Sequence, residues 1–135
     1  YLQFSDPVDT SRLVSGGQIW DGDDWELFFA LQRGKPYRQL AIAPNNEFVA
    51  LHWDKNSSSW DSGALSASDT SARDRWVVRV ALPMAKLVPG RIGSGTKLYA
   101  NFFRGAADAE RRMVWSPTFS GGFHDTARLG ELTLE

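Results

Sequence analysis

"WVVRVAL", residues 76–82, decides the fold. Trp76, Val78, Val80 and Leu82 make one wholly apolar face while Arg79 points the other way, the period of two that marks a β-strand lying against a core. The same period runs through "WELFFAL", residues 25–31, where Trp25, Leu27, Phe29 and Leu31 share a side. Glu26 is thereby left on the opposite side beside Phe28 and Ala30. A carboxylate on a mostly apolar surface is costly to bury unless it is paired or hydrogen-bonded, so Glu26 calls for a partner or an open groove.

Outward from these two segments, strands are expected over 1–4, 38–43, 48–53, 98–104, 113–116 and 131–134. No stretch sustains a helical period for three turns, although Pro83 at the head of 83–87 suits one short helical turn. Turn signals separate the strands at Ser15-Gly16-Gly17, Pro44-Asn45-Asn46, Ser62-Gly63, Pro89-Gly90, Gly93-Ser94-Gly95 and Gly121-Gly122. Seven or eight short strands at this spacing predict an all-β chain, an antiparallel β-sandwich of immunoglobulin-like or jelly-roll-like form.

The 135 residues suffice for one domain with a real hydrophobic core and are few for two, so residues 1–135 are read as a single domain. Fifteen basic and sixteen acidic side chains leave a net charge of -1, with no run of five like charges. Nucleic acid and anionic membranes, which rely on a clustered positive field, are therefore not expected partners. No apolar stretch approaches the roughly 20 residues that span a bilayer. The absence of cysteine excludes disulfides and thiolate metal sites. The first residue is Tyr1, not Met, and Tyr1-Leu2-Gln3-Phe4 already alternates like a strand, so the sequence is expected to be a piece of a longer protein.

Six tryptophans exceed what a core of this size requires. Trp25 and Trp76 are in phase with strand cores, Trp53 shares a face with Val49 and Leu51 and also reads as core, and Trp60 in a Ser-rich loop stays unassigned. Trp20, between a Gly-Gly turn and an acidic loop, and Trp115, near a strand end, are the candidates for exposed rings. Such rings either stack on a ligand while polar neighbours bind its polar groups or simply close the ends of the sandwich, and periodicity does not choose between these. In the loop Asp21-Gly22-Asp23-Asp24, solvated carboxylates are the first reading. A single structural calcium on Asp21, Asp23 and Asp24, helped by Asp6 or Asp9, is the second. No cofactor beyond that calcium is called for.

Catalytic signatures are sparse. There is no G-x-S-x-G elbow, H-E-x-x-H pair or phosphate loop, and His124-Asp125 in a Gly-rich loop reads as a local hydrogen bond before an acid/base unit. A facing carboxylate pair could be nominated from sixteen acidic residues in many ways, which decides nothing.

The ordered succession "IWDGDDWELFF" (19–29), "YRQLAIAPNNEF" (37–48), "RWVVRVALPMAKL" (75–87), "LYANFFR" (98–104), "WSPTF" (115–119), "FHD" (123–125) and "LGELTL" (129–134) resembles carbohydrate-binding module family 9 and its relatives in the DOMON-like group. It spans nearly the whole chain, apart from the family's usual opening segment, which agrees with a start inside a strand. The resemblance implies a noncatalytic β-sandwich that holds a sugar, often at a chain end, between two tryptophan rings. Trp20 and Trp115 are similar to that pair, and Glu26 to the family's sugar-binding glutamate. Arg104 and either Gln39 or Arg38 stand as hydroxyl contacts, with Asn101 a further one. Guanidinium donors and carboxylate acceptors together suit vicinal hydroxyls.

The expected partner is thus an oligosaccharide or polysaccharide, alongside other domains of a parent chain that is extracellular or in the cell envelope, with no nucleic acid and no membrane contact. Some DOMON relatives carry b-type haem through a Met and a His, for which Met84, Met113, His52 and His124 can be nominated, so haem-linked electron transfer is the runner-up. A structural or docking sandwich without a ligand is the third reading. Fold analogy alone does not choose among them, because function lives in the site.

Overall fold

A computed structural model describes residues 1–120 and 122–135; of the Gly121-Gly122 turn signal, Gly121 lies outside the described residues. The strands are β1 (Leu2–Asp6), β2 (Asp24–Ala30), β3 (Tyr37–Ile42), β4 (Phe48–Trp53), β5 (Ser57–Ser59), β6 (Leu65–Asp69), β7 (Trp76–Ala81), β8 (Lys97–Gly105), β9 (Met113–Val114) and β10 (Gly130–Thr133). They form two antiparallel sheets, a small one in the order β1-β7-β6 and a large one in the order β10-β8-β2-β3-β4-β5, with β9 paired to β8. The chain is an antiparallel β-sandwich, with 3-10 turns such as Met84–Lys86 as its only helical pieces among the described residues. None of them is long and apolar enough to cross a membrane.

The core between the sheets is built from the alternating faces of the sequence. Trp76, Val78 and Val80 of β7 meet Trp25, Leu27 and Phe29 of β2, Leu40 and Ile42 of β3, and Leu98 and Ala100 of β8. Within it Trp25 stacks on Phe4 at 4.8 Å and lies 6.4 Å from Trp76, whose indole Nε1 donates to Ser68 Oγ at 2.8 Å. Trp60, unassigned in the sequence, is buried against the same core.

The outer face of the large sheet is also apolar. Phe28 and Ala30 of β2, Tyr37 of β3 and Phe103 of β8 form a second cluster with Leu129, against which Trp53, Tyr99 and Phe123 pack. Both faces of β2 are therefore buried along its whole length. Trp53 corrects the expectation that it belongs to the central core. Its partner across the sheet is Tyr37, so it shares the outer face. Alternation sorts side chains into two faces, but it does not say which of two apolar faces looks inward.

Two strands escaped the sequence reading. Ser57–Ser59 is wholly exposed and polar, and Leu65–Asp69 carries a weak apolar pattern; each forms by pairing, with β4 and β7 respectively.

The sheets are pinned together by one buried cation. Arg104 of β8 is fully buried on the inner face, with its guanidinium 4.7 Å above the Trp76 ring. Its Nε donates to Asp6 Oδ2 of β1 at 2.8 Å, its Nη2 to Asp23 Oδ1 at 2.8 Å, and its Nη1 to the carbonyl of Gly105. Arg104→Ala is expected to cost about 3–5 kcal/mol in urea unfolding, because two carboxylates are left without their cation. Trp25→Ala should cost about 3–5 kcal/mol in the same measurement through the cavity it leaves.

Candidate functional site

The outer face of the large sheet carries a polar line set in aromatic rings. Pairing of β2 with β3 and of β3 with β4 places Glu26, Gln39 and Trp53 on that face. Trp53 Nε1 donates to Gln39 Oε1 at 2.7 Å, and Gln39 Nε2 donates to Glu26 Oε2 at 2.5 Å. Because an indole only donates and a carboxylate accepts, these two neighbours fix which end of the Gln39 amide faces each.

Around this line the rings lock one another. Trp53 stacks on Tyr37 at 6.0 Å and 12°, and His124 meets Trp53 edge-on at 4.8 Å while its Nδ1 is hydrogen-bonded to Tyr37 Oη at 2.8 Å. Phe28 sets its edge against His124 at 5.2 Å, and Phe123 stacks on Phe103 at 4.3 Å. The His124 segment is thus docked on the sheet by aromatic contacts, while Asp125 accepts from Ser120 Oγ at 3.1 Å. Burial, and after it the charge of Lys35, holds the His124 imidazole below its ordinary 6.5, so the ring is neutral at pH 7.

Trp20 stands at the rim, 40% exposed, on the 3-10 turn Ile19–Asp21. Ile19 beside it is buried against Ala41, Ala43 and Val49, and Asp21 Oδ2 accepts from the Gln18 amide at 3.0 Å, closing the turn. Two adjoining cavities open here. One, of about 280 Å³, is lined by Trp20, Asp24, Glu26, Arg112, Phe123 and His124 among others. The other, of about 350 Å³, is lined by Trp20, Gln39, Leu51, Trp53, Ser57 and His124. Trp20 and His124 border both.

Of the residues singled out by sequence, Trp20, Glu26 and Gln39 come together here. Trp115 does not. Its amide donates to the Phe102 carbonyl at 2.9 Å, its ring lies 5.5 Å from the Phe102 ring, and a Cβ on Gly130 would fall 2.3 Å from it. Phe102 and the Gly130 partner Ala100 belong to the inner face, so Trp115 caps that side of the sheet edge, away from Trp20. Arg38 also points inward, over the Trp60 ring at 5.0 Å with its Nη1 donating to the Lys86 carbonyl. Arg104 has its donors committed within the core, and Asn101, fully buried, exchanges hydrogen bonds with the Ser116 backbone at 2.8 and 2.9 Å. All three lie away from the Trp20 cavities, and Arg38 instead borders a separate cavity on the inner side with His52 and Trp60.

Of the three loop carboxylates nominated for calcium, Asp21 and Asp23 are engaged within the protein, while Asp24 Oδ2 has no partner among the described residues. Asp21 caps its turn, Asp23 is paired with Arg104 and accepts from the Val14 amide at 2.7 Å, and Asp6 is held by Arg104. No group of three or more carboxylate or imidazole ligands suited to a metal occurs among the described residues. The haem nominations are dispersed too. His52 borders a cavity with Arg38 and Trp60, Met84 borders an apolar crevice with Phe29 and Leu87, Met113 is exposed on β9, and His124 belongs to the aromatic site.

Trp53 and Phe123 border this candidate site although the sequence did not single them out for it, and His124 was nominated there only as an acid/base or haem residue. Trp53 was legible only through its pairing to β3, and "FHD" gave no sign of docking on the sheet.

Among solved structures, the fold is similar to that of a protein from Bacteroides uniformis provisionally described as carbohydrate-binding, with a TM-score of 0.72 and 14% identity over 98% of this chain and 71% of that one. It is also similar to a family 9 carbohydrate-binding module from Caldicellulosiruptor kristjanssonii. In complex with glucose that module matches at a TM-score of 0.65 and 15% identity, over 98% of this chain and 69% of that one. In complex with cellotriose it matches at 0.65 and 16%, over 96% and 65%. This chain therefore has the β-sandwich fold of family 9 modules; at such identities the likeness is one of fold. No protein-family model and no curated protein matches the sequence.

Burial first, and then the charge of Asp24, pushes the Glu26 carboxyl from its ordinary 4.5 up to about 8, against the opposing hydrogen bond from Gln39. Burial likewise pushes Asp24 from 3.8 up to about 7, with Arg104 opposing and Asp23 adding to the rise. Both groups hold protons more tightly folded than unfolded, so folding takes up protons. Their contribution is complete below their ordinary values of 3.8 and 4.5 and is lost as pH rises through about 7 and 8. Urea midpoints should fall across that window, and Glu26→Gln should flatten the upper part of the fall.

Proposed function

We propose that this domain binds carbohydrate without catalysing its breakdown, at the outer face of the large sheet. The observation that carries the reading is the Trp53–Gln39–Glu26 hydrogen-bonded line, flanked by the exposed Trp20 ring and the Phe123-His124 segment. A sugar ring has apolar faces and a polar rim. Trp20 would take a face, and Glu26 and Gln39 would meet hydroxyls from below.

The noncatalytic reading is supported by geometry as well as by fold. Asp24 and Glu26, the two carboxylates lining the cavity, lie two residues apart on one strand and leave it side by side. They do not face each other across a cleft, as the acid and the base or nucleophile of a glycosidase must. The solved modules of the same fold include one in complex with glucose and with cellotriose, which makes β-glucans the first ligands to try. An extracellular or cell-envelope setting, within a longer chain, accords with such a role.

The site differs from the expected clamp of Trp20 and Trp115 in its second wall, which here is the Phe123-His124 segment. Intrinsic fluorescence titration with glucose, cellobiose, cellotriose and xylobiose should give a saturable change. Trp20→Ala is expected to weaken binding by about tenfold or more, in line with an aromatic hot spot, and Trp115→Ala by no more than about twofold. A flat response to the whole panel from folded protein would overturn the reading.

A further inference from the structure

The acidic corner of the smaller cavity has no role in the line of polar groups above. Asp24 lies opposite Gly105 and Glu26 opposite Phe103, both on the outer face of β2. Asp24 is only 2% exposed, yet its Oδ2 has no hydrogen-bond partner among the described residues. Its position depends on glycine. A Cβ on Gly105 would stand 1.8 Å from Asp24 Oδ1, so any other residue there would expel the carboxylate. A buried carboxylate oxygen without a donor is costly, and it borders a cavity with Glu26, Trp20, Phe123 and His124.

The charges of Arg104 and Arg112 reach Asp24, but neither side chain makes a direct hydrogen bond or ion pair with it among the described residues, and both are bonded elsewhere. Arg104 and Asp23 beneath the corner are bound to each other at 2.8 Å, and Arg111 lies 3.6 Å from the same Asp23 oxygen. Arg112 lines the cavity, but its side chain is exposed, its Nε donates to the Ala106 carbonyl at 3.1 Å, and no ion pair within 4.0 Å joins it to Asp24 or Glu26 among the described residues. Lys35 acts on His124, which is neutral. What the corner asks for is a donor that brings positive charge. A sugar hydroxyl donates one proton and no charge, whereas an ammonium donates three and carries one. Rings around it suit an organic cation. Calcium asks for six to eight oxygens, and only two carboxylates line this cavity; no three carboxylate or imidazole groups are placed to hold a metal among the described residues.

We propose that this corner receives the ammonium of an amine-bearing sugar unit, a glucosamine residue in a glycan chain, with Asp24 as its counter-ion and Glu26 as a second acceptor. The proposal rests on the carbohydrate-binding reading and narrows its ligand class to glycans with free amino groups. Since burial sets the two carboxyls to about 7 and about 8, capture of an ammonium ejects protons from them. Affinity for the amine then passes through a maximum near neutral pH, rising as the carboxyls ionise and falling as the ligand amine, made less basic by its neighbouring oxygens, loses its proton in the same range.

The test is calorimetry of the wild-type domain with three trisaccharides: the glucosamine trimer, its fully N-acetylated counterpart and cellotriose. At about pH 7.5 the glucosamine trimer should bind roughly tenfold tighter than either neutral ligand. Its affinity should pass through a maximum near neutral pH and fall on either side, whereas that of the N-acetylated trimer should show no such maximum. Asp24→Asn, which removes a charge and no hydrogen bond, should erase the preference while keeping cellotriose binding. If that variant does not fold, the wild-type preference and its pH maximum decide alone. Binding of cellotriose with no gain for the glucosamine trimer would overturn this inference and leave the carbohydrate reading standing. A gain in cellotriose affinity on adding calcium, without preference for the amine, would also overturn it by assigning the corner to a metal. Failure of all three sugars to bind folded protein would remove the carbohydrate reading and this inference with it.

Discussion

The structure turns on one buried guanidinium. Arg104 is the point where the small sheet, the large sheet and the segment leading into β2 meet, through Asp6, its own strand and Asp23 respectively. Burying such a group adds little net stability compared with an apolar replacement, but leaving either side of it unpartnered is severe. Its contribution is to specify one arrangement: with Asp6 and Asp23 bound at 2.8 Å, the sheets have one register relative to each other. Trp76, beneath the cation at 4.7 Å, makes the same point packable in the core.

From that point the site is held at second hand. Asp23 Oδ2 accepts from the Val14 amide while the Asp23 amide donates to the Val14 carbonyl at 2.8 Å, so the chain from 14 to 23 is closed into a loop at its base. Gly22 fits there because a Cβ would come 2.5 Å from the Val14 carbonyl oxygen. Ile19 anchors the loop on β3 and β4, and Trp20 is what the loop leaves exposed. The ring at the rim owes its place to an ion pair on the other side of the sheet.

Much of this was legible in the sequence, and the failures have physical reasons. Strands such as β7, with Trp76, Val78 and Val80 buried in alternation, were found because a sandwich buries at least one face of them. Ser57–Ser59 and Leu65–Asp69 were not, because edge strands that bury little are defined by their neighbours rather than by their own pattern. Arg104 was read as a ligand contact although it falls in phase with Leu98, Ala100 and Phe102. That phase places it in the core, where only a partner 98 residues away, Asp6, makes it tolerable. Trp115 misled in the same manner, since pairing to Phe102 rather than its own flanking residues sets its face. Glu26 and Gln39 were legible as polar residues on an apolar face; that they bond to each other and to Trp53 depends on register, which alternation does not supply.

The stretch from Asp21 to Glu26 shows how one acidic segment is divided between structure and site. Asp21, exposed, closes a turn, and Asp23, fully buried, gains the Arg104 guanidinium in exchange for its hydration. Asp24, next in the chain and almost as buried, gains none at Oδ2. The fold has cations within reach of this region, in Arg104, Arg111 and Arg112, and spends the first two on Asp23 while the third bonds a carbonyl. A chain selected for stability alone would place an apolar or amide side chain at 24, since relieving a desolvated carboxylate is among the cheaper routes to a more stable domain. The unpaired group on the same face as Glu26, with Gly105 leaving it room, sets one unsatisfied acceptor at a cavity walled by rings. A buried carboxylate oxygen without a donor, bordering a cavity walled by rings, is what a binding site has to carry before its ligand arrives.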